Sequence, residues 1–130
     1  MVSPWDRVLF AVIFFVAFQH LAFFVLETFL WQKPLGLKVF RQSPEKAAIT
    51  APLAKNQGVY NAFLAAGLFW GVITITSGGL GYVELGRAIF IFFLSCVSVA
   101  GITGALTVNR RIFWIQAVPA IVGLGLVFLR

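Results

Sequence analysis

Four apolar runs, each long enough to cross a lipid bilayer, fill most of a chain of 130 residues. A helix crossing a hydrocarbon layer of roughly 30 Å needs about 20 residues, so four spans and their loops leave no length for a soluble domain. Composition agrees. Hydrophobic residues make up 61% of the chain and charged residues 11%, and the mean hydropathy is +0.98. That leaves too few charges to cover a soluble surface. The reading is an all-α membrane protein, a four-transmembrane-helix bundle forming one integral membrane domain over residues 1–130. Its spans are expected near 8–30, 56–75, 85–108 and 112–129. The first run is expected to stay as a span and not to be removed as a signal peptide. Asp6 and Arg7 cancel, the run is longer than a signal's apolar region, and no small-x-small site follows.

The basic residues sit in short loops at helix ends. The net charge is +6 and the pI is near 10.3, but this scatter suits anionic headgroups and excludes a folded nucleic-acid face. The connector between the first two spans holds Lys33, Lys38, Arg41, Lys46 and Lys55, and the last loop holds Arg110 and Arg111. Only Arg7, Arg87 and Arg130 fall on the other side. Cytoplasmic loops carry the excess of Lys and Arg, which puts the basic connector in the cytoplasm and both termini outside. Within the connector, Ser43-Pro44-Glu45 has the order of a helix start. Pro52 would kink or restart that helix before the second span. Leu35, Leu37, Val39 and Phe40, interleaved with Lys38 and Arg41, suit either the headgroup layer or a surface linker.

Polar residues inside the spans mark the candidate site. A charged side chain near a span's centre costs roughly 2.5–3.5 kcal/mol on insertion scales. The first span carries sixteen Val, Leu, Ile or Phe residues, each favourable by roughly 0.3–0.6 kcal/mol, so Glu27 is tolerated. It still needs a partner or a wet cavity. His20 lies seven residues earlier, within about 20° of Glu27 around the helix, with about 10.5 Å of rise between them. Both are expected on one interior stripe without touching. The second span opens with Asn56, Gln57, Tyr60 and Asn61. Gly67 and Gly71 then have GxxxG spacing, which reads more readily as internal packing than as dimerisation. In the last span Gln116 lies near the arginines, and Pro119 withholds an amide from the carbonyl of Ile115. Together these residues suggest a polar chamber open to the cytoplasm. Taken as ordinary packing, the amides would bond to one another across helices at about 0.6 kcal/mol each. That accounts for single amides better than for an ionisable pair.

His20, Glu27-x-Phe29-x-Trp31 and Asn56-Gln57-Gly58-x-Tyr60-Asn61-x-Phe63-Leu64-Ala65-x-Gly67-Leu68 resemble a bacterial four-helix membrane family, domain of unknown function number 1304. Val99-Ala100-Gly101-x-x-Gly104-Ala105-x-Thr107 and Gln116-x-x-Pro119-Ala120 are similar to its later motifs, while Thr103 stands where an aromatic residue is expected. The resemblance implies a small multi-pass protein of the inner (plasma) membrane. It implies no activity.

Three classes of function are open. The first is a binder or carrier of a small molecule or ion, using His20, Glu27, Asn56, Gln57, Tyr60, Asn61 and Gln116; a histidine titrating near neutrality suits proton coupling. The second is an accessory or structural membrane subunit. The third is an intramembrane acid–base enzyme, isomerase-like, acting on a lipophilic substrate; this class ranks last, and no Ser–His–Asp or Cys–His arrangement is visible. One histidine and one buried carboxylate fall short of a metal site. The lone Cys96 reads as a small buried hydrophobe. No cofactor is expected. Membrane lipids, and a second copy or a partner membrane protein, are the expected partners.

Overall fold

Helix follows from the apolar runs almost without interruption. The computed structural model describes residues 4–129, among which the elements are α1 (Pro4–Thr28), α2 (Pro34–Phe40), α3 (Pro44–Thr76), α4 (Leu80–Thr107), a π-helical turn (Phe113–Ala117) and α5 (Val118–Phe128). Arg130, one of the three cations assigned outside, is not among the described residues. Three of the helices, α1, α3 and α4, are long and apolar enough to cross a membrane, and the Phe113–Phe128 stretch is shorter.

The largest departure from the sequence reading concerns α3. Residues 44–55, expected to belong to the connector, form one helix with the second span, and Pro52 lies inside it. Proline deletes one amide donor, but Ala47, Ala48, Ala51 and Ala54 around it are strong helix formers. The start is as the local code requires. Ser43 accepts the amide of Lys46 on its hydroxyl at 3.2 Å, and Pro44 takes the first helical position, where its missing donor is harmless. α2 ends at Arg41, which adopts a left-handed φ of 50°. Residues 76–80 make a tight turn in which Gly78 and Gly79 hold φ of 85° and 90°, so α4 begins at Leu80 instead of near residue 85. Asn109 Oδ1 accepts the amide of Arg111 at 2.9 Å and shapes the last turn. Past it, Pro119 is accommodated by the π turn, in which the Val118 amide bonds to the Phe113 carbonyl.

The chain divides into two compact units, one drawing on residues up to Ala17 and from Ala66 onward, the other being Phe18–Ala65. In the first unit, Leu9, Ile13, Val16 and Ala17 of α1, Phe90, Leu94 and Val97 of α4, and Ala120 and Val127 of α5 are fully buried. Small residues set the helix spacing. A Cβ on Gly71 would lie 2.5 Å from the Phe90 ring, and one on Gly67 would overlap Phe93, so the GxxxG pair is spent on internal packing. Arg87 donates to the carbonyl of Val127 at 3.2 Å, next to the end of α5.

In the second unit, the buried residues of α3 are Ala47, Ala54, Gly58, Asn61 and Ala65. Their spacing of seven, four, three and four residues is one helical face. Four of the five are Ala or Gly, so the facing backbone of α1 can come close. α2 is held by a packed aromatic pair, Trp31 and Phe40, whose ring centroids are 4.6 Å apart. Trp31 also donates its indole N–H to the hydroxyl of Thr50 at 3.1 Å, tying the segment after α1 to α3.

Candidate functional site

Glu27 occupies the last turn of α1 and is 5% exposed. Its carboxylate is held from α3 by two amides one helical turn apart. Asn61 Nδ2 donates to Oε2 at 2.8 Å, and Gln57 Nε2 donates to Oε1 at 3.2 Å. Each carboxylate oxygen therefore receives one donor and keeps a further lone pair. The close approach is made by Gly58, between the two amides in register. A Cβ there would overlap the Thr28 hydroxyl, and would lie 3.1 Å from the Thr28 nitrogen and 3.2 Å from Glu27 Cβ. Thr28 Oγ1 is itself buried and has no hydrogen-bond partner among the described residues.

Beside this network lies a partly open cleft of about 730 Å³, lined by Glu27, Thr28, Trp31, Lys33, Pro52 and Lys55 among others. That volume is within the range of roughly 300–1,000 Å³ typical of small-molecule sites. The α3 wall is Ala48, Ala51, Pro52 and Lys55, spaced as one helical face. The other wall is the end of α1 and the segment after it. Because Pro52 has no amide hydrogen, the carbonyl of Ala48 lacks its usual helical donor.

The residues singled out from the sequence are placed as follows. Glu27, Gln57 and Asn61 meet in one network. His20 is fully buried on the same stripe of α1, its ring edge-on to Phe23 at 5.6 Å. Asn56 and Tyr60 are exposed, and in helical register they lie on the far side of α3 from Gly58. Gln116 is half-buried in the π turn and belongs to the other unit. Sequence reasoning did not find Thr28, Lys33, Lys55 or the alanine–proline wall. In the sequence the lysines read as membrane-flanking charges and Pro52 as a break. The signal is nonetheless present in the i, i+3, i+4, i+7 spacing of residues 48, 51, 52 and 55. Among the described residues, no group of three metal-ligating side chains is present.

Long apolar helices, a short helix in the connector and a carboxylate clasped by amides define a helical protein of membrane-like character. The chain belongs to the family described as "Protein of unknown function (DUF1304)", whose model matches residues 14–128. No curated protein and no solved structure matches it.

Proposed function

We propose that this chain is a four-span integral membrane protein of the bacterial inner membrane, with both termini outside, that binds or carries a small polar solute in a cytoplasm-facing cleft at Glu27. One observation carries the reading: an ionisable side chain, buried and gripped by two amides, forms the wall of a cleft large enough for a ligand. A carboxylate buried to that extent is costly to keep for packing alone. The membrane setting is supported by the large apolar side chains turned outward, such as Phe18, Phe63, Trp70 and Phe92, on a scale that soluble monomers avoid. Leu35 and Val39 of α2 are also exposed beside Lys38 and Arg41, which suits a helix lying in the headgroup layer.

Native mass spectrometry of the protein released from detergent tests the binding reading for a ligand of any identity. The wild type is expected to carry a small-molecule adduct that Ala51→Trp, which fills the cleft, removes. A wild type free of adduct, or an adduct indifferent to Ala51→Trp, overturns it.

A further inference from the structure

The cleft offers hydrogen-bond donors and acceptors of opposite charge, and their chemistry narrows what it can take. Lys33 and Lys55 bring two ammonium groups from its two walls. Against these stand the Glu27 carboxylate, with a lone pair to spare on each oxygen, and the Ala48 carbonyl opposite the donorless Pro52. A simple anion would meet the lysines and be repelled by Glu27, and a simple cation would meet the reverse. A molecule carrying both charges satisfies both ends.

We infer that the cleft binds an aminoalkyl phosphate: a phosphate ester held by Lys33 and Lys55, with a primary ammonium donating to Glu27 and the Ala48 carbonyl. Phosphate fits because it presents several strong acceptor oxygens to several donors. A primary ammonium fits better than a quaternary one because the carboxylate and carbonyl are acceptors that only an N–H can use. Two sources share this chemistry, a soluble phosphomonoester and the headgroup of an aminophospholipid. Glu27 at the end of an apolar helix, followed by Trp31 and Lys33, sits where headgroups lie. The inference rests on the binding reading above and goes further by naming the ligand class.

Isothermal titration calorimetry on the whole protein in phosphatidylcholine nanodiscs tests it, with phosphoethanolamine as the probe. It is expected to bind at least about tenfold tighter than inorganic phosphate, ethanolamine or phosphocholine, since only it engages the lysines and donates N–H groups to Glu27 at once. Lys33→Ala with Lys55→Ala, and separately Glu27→Gln, are each expected to remove that advantage. The lysines are exposed, so their variant keeps the test alive should Glu27→Gln fail to fold. If phosphoethanolamine gives no heat in phosphatidylcholine nanodiscs, its lipid form is supplied in place of part of the phosphatidylcholine. Retention of that lipid by the wild type and its loss from the lysine variant then support the assignment and identify the headgroup as the source. Equal affinity for inorganic phosphate and phosphoethanolamine overturns the assignment, as does failure of both forms to bind. An adduct that persists in native mass spectrometry and is displaced by Ala51→Trp would at the same time leave the binding reading standing.

Discussion

Asn61 and Gln57 make the same kind of bond to Glu27, yet losing them should not cost the same. Asn61 is buried and bonds at 2.8 Å, whereas Gln57 is exposed and bonds at 3.2 Å. Water can replace the Gln57 amide, so Gln57→Ala should cost near the interhelical average of about 0.6 kcal/mol. Asn61→Ala strands a carboxylate oxygen in a buried site and should cost about 1–3 kcal/mol. Unfolding of both variants in mild detergent checks the order, and equal losses would mean that Glu27 is reached by water from both sides. Gly58→Ala tests the close approach itself. Its Cβ has no space against Thr28, and overpacking of this kind costs about 1–3 kcal/mol. Adding Thr28→Ala should restore part of the loss but not all, because the Thr28 backbone nitrogen would still be 3.1 Å away. A double-mutant cycle in the same detergent reads this coupling. The sequence made Glu27 conspicuous because a carboxylate among apolar residues is expensive. It could not show which amides would answer, since Asn56, Gln57 and Asn61 are alike in chemistry and only the seam centred on Gly58 decides which face turns inward.

At the scale of elements, glycine has opposite meanings at two nearby places. A Cβ on Gly101 of α4 would lie 2.6 Å from the Ala117 nitrogen and 2.9 Å from its Cα. Those are backbone atoms of the π turn and cannot rotate away, so Gly101→Ala should lower stability by about 1–3 kcal/mol. A Cβ on Gly125 of α5 would meet nothing within 4 Å among the described residues. Gly125→Ala should therefore raise stability by about 0.5–1 kcal/mol through helix propensity alone. Thermal unfolding of the two variants should move in opposite directions. A shared direction would place α5 differently from what is described. Local signals read well where a single residue decides the outcome, as with Ser43 at the start of α3 and Gly78 and Gly79 before α4. They failed where several weak preferences had to be summed. Pro52 marks a break by rule, but four alanines around it carry the helix through. Likewise Pro119 foretold a disturbed ladder, but not that a π turn would absorb it.

For the molecule as a whole, the question is whether the last helical stretch crosses the membrane. The π turn has five residues and α5 has eleven, which gives about 24 Å at helical rise, short of a hydrocarbon core of roughly 30 Å. A deficit of a few ångströms costs only fractions of a kcal/mol per ångström, because the bilayer thins and flanking residues reach outward. The charges argue for crossing: Arg110 and Arg111 stand at its start, alongside the five cations of the connector in the cytoplasmic count. A fourth crossing puts Asn109 and Leu129 on opposite sides, whereas three crossings leave them on one side. Single cysteines at Gln42, Ser77, Asn109 and Leu129, in a Cys96→Ser background, make the distinction with a membrane-impermeant maleimide added to intact cells. Positions 77 and 129 should label from outside, and positions 42 and 109 only after the membrane is opened. Labelling of 109 and 129 from the same side would mean three spans. Labelling of 42 and 109 from outside would reverse the orientation and turn the Glu27 cleft away from cytoplasmic solutes.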